Sequence, residues 1–263
     1  EYGRYHENAL GEYNYNFMQP ENGENPVDTF FANFNWGKSE VDYSISTAKW
    51  IHRNPYDVLA GLELQKGGSY KTNVDWNAIL DEHGKLRLSL GLYAPDTITG
   101  LGKTGEGYHT HEDLFWTGFQ GDPTKGKPAD QSWYGMSNLV VDKTPITSED
   151  FNTSFNTGHG KHWFVDGKIS KEGEWNYRSV SGYLPTWRWW VEHSEDSVPL
   201  KGRYDFDQAY NGGNSLAFEG DLKANSSQNV MLYSTKIPVT ETTKLSVSHK
   251  GGVGAAAWVA VAT

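Results

Sequence analysis

The segment DTFFANF, at residues 28–34, is the first of three short apolar runs that decide the fold. DVLAGLELQ follows at residues 57–65 and LRLSLGLYA at residues 86–94, and turn-forming residues bound all three. Runs of this length, rich in aliphatic, aromatic and β-branched residues, indicate buried strands. Their regular spacing predicts one strand in each of three repeated units.

The segments between these runs carry helical signals. In residues 39–54, apolar side chains recur at helical spacing and Ser39 suits an N-cap. In residues 72–84, the apolar spacing is again helical, and Gly84 would end the helix. Repeated strand–helix units predict parallel strands joined by right-handed crossovers. The fold class is therefore α/β, either a doubly wound sheet or a (β/α)8 barrel.

Polar and aromatic residues close each of the three predicted strands. In both α/β folds, ligands bind at the carboxyl ends of the strands. Amides and carboxylates hydrogen-bond to hydroxyls, and flat rings stack on the apolar faces of sugars. The sequence therefore predicts a site for a polyhydroxylated ligand, formed by Asn33, Asn35, Trp36, Glu63, Gln65 and Tyr93. In the alternative interpretation, Asn35 and Trp36 only lead into the helix, and Glu63 pairs with a basic residue.

Composition limits the classes of partner. The chain has 263 residues, 37% of them hydrophobic, which suffices for a sizeable core. Its net charge is −10 and its 23 Lys and Arg residues are scattered, so we expect no nucleic-acid partner. We also expect no membrane association, because no apolar run reaches the roughly 18 residues of a spanning helix. Aromatic residues make up 14% of the chain, which suits either carbohydrate handling or an aromatic-rich core.

The chain contains no cysteine, which rules out disulfides, thiolate catalysis and cysteine zinc sites within it. This composition suits a cytoplasmic protein as well as a secreted bacterial one, and an extracellular location is favoured if the source is bacterial. The segment HTHED, at residues 109–113, could suggest metal ligands. Zinc-binding helices usually place their histidines four residues apart, and no distant third ligand is evident. We expect a solvated loop or helix cap there, a short helix over residues 111–119, and neither a metal nor a cofactor.

A family resemblance rests on longer motifs. FFANFNW, NPYDVLAGLELQ, LSLGLYAPDT, GDPT, WYGMSNLVVDKTPITSEDFNTSFNTGHG and EWNYRSVSGYLPTWRWW occur in this order. Together they resemble the later part of the endo-β-N-acetylglucosaminidases of glycoside hydrolase family 85, particularly the bacterial Endo-A-like members. The resemblance implies a (β/α)8 barrel followed by β-sandwich domains. It also implies hydrolysis of the GlcNAc-β1,4-GlcNAc core of N-linked glycans, usually high-mannose, with possible transfer of the released glycan.

The resemblance further implies substrate-assisted catalysis. The 2-acetamido oxygen of the substrate attacks the anomeric carbon, one Glu acts as acid and then base, and an Asn two residues before it orients the acetamido group. The family's Asn-x-Glu strand end precedes the region that EYGRYHENAL resembles, so we expect this chain to hold the last barrel strands and no catalytic residue. The strand-end residues are then expected to bind substrate.

Two other functions stay open at this point. One is a non-catalytic glycan-binding protein that keeps the cleft without an acid. The other is an unrelated α/β enzyme that uses Glu63 as acid or base, although no second catalytic group lies at a matching strand end.

The domain boundary is expected near residue 195. HSEDSVP, at residues 193–199, reads as a linker. We predict the later part of the barrel over residues 1–194 and a partial all-β sandwich, carbohydrate-binding-like by resemblance, over residues 195–263. PTWRWWVE, at residues 185–192, is expected to be a packed strand or domain-interface anchor. The sandwich prediction rests on five strand-like runs, LKGRYDFD, NSLAFEG, NVMLYSTKI, KLSVSHK and AAWVAVA.

Overall fold

The computed structural model describes residues 7–102, 105–119, 121–123, 125, 132–140, 143–251 and 259. The chain divides into two compact units, each built from segments on both sides of residue 195. The predicted boundary between residues 194 and 195 therefore stays a prediction. The first unit comprises Glu1–Asp142, Trp187–Pro199 and Asn225–Leu232, and the second comprises Lys143–Thr186, Leu200–Ala224 and Tyr233–Thr263.

The first unit is built on a parallel sheet of three strands. These are β1 (Phe30–Ala32), β2 (Val58–Glu63) and β3 (Ser89–Tyr93), side by side in chain order. The prediction of parallel strands at these three runs is confirmed, although each strand is shorter than its apolar run. In the part of the chain that the structure describes, β1 and β3 are the open edges of this sheet.

The two faces of the sheet differ because side chains alternate along a strand. One face packs into the hydrophobic core through Phe30, Ala32, Val58, Ala60, Leu62, Leu90 and Leu92. The other face carries Phe31, whose ring lies across Gly61 and Gly91, a pair of register neighbours. A Cβ on Gly61 would lie 2.6 Å from the Phe31 ring, so both positions need glycine while that ring stays in place. Glu63 and Tyr93 continue this face to the carboxyl ends of the strands.

Helix α1 (Lys38–Trp50) connects β1 to β2. Its predicted apolar side is confirmed, because Val41, Ile45 and Ala48 are buried. The predicted N-cap, Ser39, is wrong: the N-cap is Gly37, two residues earlier, and Glu40 Oε2 accepts the N–H of Gly37 over 2.9 Å. Glu40, the third residue of the helix, thus reaches back to the backbone N–H of the N-cap residue, as the acidic residue of a capping box does.

The connection from β2 to β3 is less helical than predicted. It contains only two single-turn helices, α2 (Leu64–Gly67) and α3 (Trp76–Ile79). Asp81 Oδ1 accepts the backbone N–H groups of His83 and Lys85 over 2.9 Å and 2.8 Å, which folds the following residues into a turn. Short acidic side chains favour such turns over helix. Gly84, at φ +72°, shapes this turn and does not end a helix.

Helix α4 (Gly105–Thr117) packs against two 3-10 turns, one following α2 and the other following β3. It begins before the predicted start at residue 111. The expectation of a solvated loop or helix cap for HTHED is wrong, because this segment lies inside α4 and His109 is only 6% exposed. Among the described residues, no helix is long and apolar enough to cross a membrane.

The remaining strands form antiparallel pairs. In the second unit, β4 (His159–Val165) pairs with β5 (Lys168–Asn176). In the first unit, β6 (Trp190–Glu192) confirms a strand within PTWRWWVE. The other predicted strands that form are β7 (Lys201–Asp205), β8 (Ser215–Glu219) and β9 (Asn229–Met231).

The pairing of these strands differs in part from pairing between consecutive predicted strands, and the sandwich over residues 195–263 stays a prediction. β7 pairs with β8, as consecutive predicted strands would, but β9 pairs with β6, which precedes the predicted boundary. KLSVSHK, predicted as a strand at residues 244–250, has no ladder partner in the described chain. It is rich in exposed polar side chains, so it gains little from joining a sheet. AAWVAVA, at residues 256–262, lies outside the described residues except for Val259.

Candidate functional site

The carboxyl ends of β2 and β3 bring a carboxylate and an aromatic ring together. Glu63 and Tyr93 end their strands as register neighbours. Tyr93 is exposed, and its ring centroid lies 5.1 Å from that of Phe34, which follows β1. Side chains at the ends of β2 and β3 and in the segment after β1 therefore lie together, and a ligand site at this position stays a prediction.

Trp36 is held in place by the sheet. Its indole Nε1 donates a hydrogen bond of 2.8 Å to the carbonyl oxygen of Gly61 in β2. The half-buried ring also packs against the hydrophobic core. The polar atom of the indole is thus used within the fold, and only the ring surface is available to a ligand. A ring fixed in this way loses little conformational entropy when a ligand stacks on it.

Glu63 acts as the N-cap of α2. Its Oε1 accepts the backbone N–H groups of Gln65 and Lys66 over 3.0 Å and 3.3 Å. A carboxylate at this position satisfies donors that the helix leaves open. This role differs from both interpretations in the sequence analysis, which expected a ligand contact or an ion pair.

The amide side chains are less closely gathered. Asn33 Nδ2 donates to Glu7 Oε2 over 3.0 Å, and Asn33 Oδ1 accepts the N–H of Phe34 over 2.9 Å, so this amide supports the loop after β1. Asn35 and Gln65 have exposed side chains. Glu63 and Tyr93 are thus register neighbours, Trp36 bonds to Gly61, two residues before Glu63 in β2, and Asn33 bonds to Glu7. The substrate-binding roles of the six residues named from the sequence stay predictions.

Two further aromatic features were missed in the sequence. Phe34 lies between the predicted residues Asn33 and Asn35, and its strand-end position could have indicated it. Tyr70 follows α2, and its hydroxyl lies 2.7 Å from Nδ1 of His111 in α4, with the two rings stacked. Burial raises the pKa of the Tyr70 hydroxyl. This pair joins residues 41 positions apart, so no local pattern could have shown it.

A buried ionic cluster joins α4 to the segment before β6. His109 Nδ1 donates to Glu112 Oε2 over 2.7 Å. Arg188 lies 3.5 Å from the same Glu112 oxygen and hydrogen-bonds through Nε to Asp113. The backbone places Arg188 there with positive φ at both Trp187 (+50°) and Arg188 (+71°), an unfavourable conformation for residues other than glycine.

The cluster changes the titration of its members. Burial lowers the pKa of the His109 imidazole, which favours its neutral form. Burial also raises the pKa of Asp113, against the lowering effect of the Arg188 charge. For Glu112, burial acts in the same direction, but the hydrogen bond from His109 and the Arg188 charge hold its pKa below the usual value. These groups serve the packing of α4, and no set of three or more His, Asp or Glu residues in the described chain could hold a metal ion.

An Asn-x-Glu triplet does occur in the chain, at Asn22-Gly23-Glu24. It lies in an exposed turn in which the backbones of Glu21 and Glu24 pair with each other. This turn precedes β1, whereas the strand-end residues follow their strands. The triplet is therefore not at a strand end of the kind that the family resemblance implies for its catalytic pair.

The capping role of Glu63 gives a first prediction. Glu63→Ala should lower the free energy of unfolding by about 1 kcal/mol, because two backbone donors of α2 lose their acceptor. Glu63→Gln keeps an acceptor oxygen and should cost less than half as much. Urea denaturation of both variants measures this, with Gln65→Ala, at the exposed neighbouring position, as the control. An equal loss for Glu63→Ala and Gln65→Ala would show that the cap contributes nothing.

Most of this chain is similar in sequence to known proteins. The sequence model of Glycosyl hydrolase family 85 matches residues 2–163, a range that contains all three parallel strands and their carboxyl ends. A cytosolic endo-beta-N-acetylglucosaminidase of Danio rerio is 26% identical over 233 residues, covering 86% of this chain and 29% of the relative. Cytosolic endo-beta-N-acetylglucosaminidase 1 of Arabidopsis thaliana is 23% identical over 221 residues, covering 81% of this chain and 28% of the relative. This chain thus spans less than a third of the length of these curated relatives.

One protein of known structure is more similar in sequence to this chain than these curated relatives are. The glycoside hydrolase domain of Endo-D from Streptococcus pneumoniae R6 is 67% identical in sequence, with a TM-score of 0.86. The match covers 92% of this chain and 38% of that chain. The arrangement of helices and strands described above is therefore similar to part of that domain.

Proposed function

Because this chain belongs to glycosyl hydrolase family 85, we propose that it forms part of an endo-β-N-acetylglucosaminidase that acts on N-linked glycans. The family resemblance found in the sequence is confirmed. We propose that it cleaves the β1,4 linkage between the two core GlcNAc residues and that its substrates are high-mannose glycans. One observation carries the proposal: the family match spans the paired strand ends of Glu63 and Tyr93 and the Trp36 indole that bonds to β2.

The architecture of the whole catalytic domain is part of the proposal. β1, β2 and β3 are then three consecutive strands of a (β/α)8 barrel, with the face of Phe31, Glu63 and Tyr93 turned to the barrel interior. The parallel register and the open edges at β1 and β3 are compatible with this closure. The similarity to the Endo-D glycoside hydrolase domain supports it.

The strand-end residues then bind the substrate. The Trp36 and Tyr93 rings stack on sugar faces, and Phe34 supports Tyr93 through its ring contact. Glu63 uses Oε1 to cap α2, and its Oε2 can accept a hydrogen bond from a sugar hydroxyl. Such contacts position the glycan and do not transfer a proton to the leaving oxygen.

The chemical step is proposed to be substrate-assisted, with retention of configuration and possible transfer of the glycan to an acceptor. The acetamido oxygen of the substrate is the nucleophile, and a carboxylic acid protonates the leaving sugar oxygen as the bond breaks. That acid needs a neighbouring Asn to orient the acetamido group. We place both residues outside the three strand ends described above, since the only carboxylate there, Glu63, serves as a helix cap.

The test uses a high-mannose Asn-linked glycopeptide, with mass spectrometry of the products. The 263-residue chain alone should give no cleavage. A chimera in which this chain replaces the matching part of the S. pneumoniae Endo-D domain should release peptide that keeps a single GlcNAc. A chimera that folds and binds the glycopeptide without cleaving it would favour a glycan-binding protein without catalytic activity.

Variants of Glu63 test whether this chain itself supplies the catalytic acid or base. If Glu63 were the acid or base, Glu63→Gln would abolish turnover by the chimera. We expect turnover to fall by less than about tenfold, mainly through weaker binding, because the acid is supplied by another segment. Cleavage by the 263-residue chain alone would contradict our placement of the acid, and Glu63 would become the first candidate.

A further inference from the structure

The β4–β5 hairpin of the second unit carries an aromatic groove that is separate in the chain from the proposed substrate-binding residues at the strand ends. The groove has a volume of ≈ 270 Å³ and is lined by Trp163, Lys171, Trp175, Tyr177 and Val180. Tyr177 is 64% exposed and both tryptophans are half-buried. Aromatic rings that stay in contact with water are available to stack on a ligand.

The hairpin backbone is shaped to bring the two indoles together. Trp175 pairs in register with Gly160, three residues before Trp163 on β4. The register shifts between Gly160 and His162, where the opposite strand contains Gly173 at φ +101°. Such bulges re-aim side chains. Here the Trp175 ring centroid lies 4.9 Å from that of Trp163, with 56° between the ring planes.

One of the two indoles in the groove is held by a hydrogen bond within the hairpin. Trp175 Nε1 donates a hydrogen bond of 2.8 Å to the carbonyl oxygen of His162, which fixes the indole against its own hairpin. Phe164 anchors β4, because its side chain is buried and its backbone N–H and C=O both pair with Gly212. A ligand that stacks on the Trp175 ring therefore costs little rotamer entropy at this residue.

We propose that this groove binds a neutral oligosaccharide, and thus forms a second glycan-binding site on the protein. Two indoles inclined to each other present flat apolar faces to the C–H side of a pyranose ring. Lys171, at the rim, can donate hydrogen bonds to sugar hydroxyls. The volume is small compared with drug-sized pockets, which suits one or two sugar residues. A folded protein partner would need roughly 800 Å² on this side, far more than five lining residues supply.

The choice of ligand rests on the proposed function. In an enzyme that acts on N-linked glycans, a branched glycan offers several arms, and a second contact raises its apparent affinity without new chemistry. The groove would then bind a mannose-rich arm or a neighbouring glycan of the same glycoprotein. It contributes to substrate capture and not to bond cleavage.

The test is isothermal titration of the 263-residue chain with a free high-mannose oligosaccharide. Tyr93→Ala serves as the background, because it weakens the strand-end site without touching the hairpin. In that background, Trp163→Ala and Tyr177→Ala should each weaken binding by about tenfold, through loss of one stacking face. Ile169→Ala, at an exposed position on the same hairpin outside the groove, is the matched control and should change affinity by less than about twofold.

Several results would overturn the proposal. Unchanged affinity in both Trp163→Ala and the mostly exposed Tyr177→Ala, with native circular dichroism, would exclude the groove as a glycan site. Loss of all binding in Tyr93→Ala alone would assign the whole affinity to the strand edge. A dimer that Trp163→Ala dissociates in sedimentation would make a second copy of the chain the occupant. The proposed function is tested separately. If the groove binds the oligosaccharide but the chimera does not cleave the glycopeptide, the proposed function is contradicted and the glycan-binding groove is still supported.

Discussion

Replacing Arg188 by leucine is expected to lower the free energy of unfolding by about 3 kcal/mol. The guanidinium is buried between Glu112 and Asp113, so its removal leaves two carboxylates in α4 without their cation. The expected loss is at the lower end for a buried pair, because the Asp113 side chain is 37% exposed and water screens part of its charge. Urea denaturation followed by circular dichroism measures this loss.

Two control variants separate charge from geometry. Arg188→Lys keeps the positive charge but cannot bridge two carboxylates with a planar fork, so it should recover about half of the loss. In a double-mutant cycle, Asp113→Asn should destabilise the wild type more than it destabilises Arg188→Leu, since the two residues interact directly. A loss below about 1 kcal/mol for Arg188→Leu would show that the cluster does not stabilise α4.

The cluster also accounts for an unusual backbone conformation. Trp187 and Arg188 both have positive φ, which costs on the order of 1–3 kcal/mol for each residue of this type. The ion pairs offset this cost only while Arg188 is present. In Arg188→Leu the segment before β6 should therefore relax, and hydrogen exchange of the Trp190 and Val191 amides should become faster than in Arg188→Lys.

Replacing Trp36 by alanine should lower both stability and glycan affinity. The half-buried indole packs on the core and bonds to the Gly61 carbonyl, so its loss should cost roughly 3 kcal/mol in the free energy of unfolding. Binding of a high-mannose oligosaccharide should weaken by about tenfold, because a stacking surface disappears. Thermal denaturation and isothermal titration, at a temperature where the variant stays folded, measure the two effects.

Trp36→Phe distinguishes the two roles of this residue. Phenylalanine keeps a flat ring but leaves the Gly61 carbonyl without its donor, which should cost about 1 kcal/mol in stability. Glycan affinity should stay within about threefold of the wild type if the ring surface is what binds. If affinity falls as far as in Trp36→Ala, ring stacking does not explain binding. If Trp36→Ala binds normally, Trp36 is only a structural residue.

The predictions that succeeded depend on strong local patterns. Each of the three apolar runs forms a strand of the parallel sheet, because its apolar side chains can be buried on the face that packs against the core. Helix α1 follows the predicted apolar spacing, with Val41, Ile45 and Ala48 buried. The strand-end position of Trp36, Glu63 and Tyr93 follows from the strands themselves. The family resemblance rested on motifs that lie mostly within the matched range of residues 2–163.

The predictions that failed depend on competing local interactions or distant partners. Asp81 folded part of the predicted second helix into a turn by accepting two backbone N–H groups. The β4–β5 hairpin was missed although Asp166-Gly167, both at positive φ, is a typical hairpin turn pair. Its second strand, KISKEGEWN, is almost entirely exposed, so it lacks the apolar alternation by which strands are recognised.

The sequence by itself determined the α/β class, the parallel strands, helix α1 and the family, because each depends on residues close together in the chain. Only the tertiary structure decided how the side chains are used. The Trp36 indole bonds to a carbonyl 25 residues away, and Arg188 reaches an aspartate 75 residues away. The burial of His109 and the ring contact between Trp163 and Trp175 likewise depend on tertiary structure. A hydrogen bond or ring contact depends on where two distant segments meet, and local propensity carries no information about that distance.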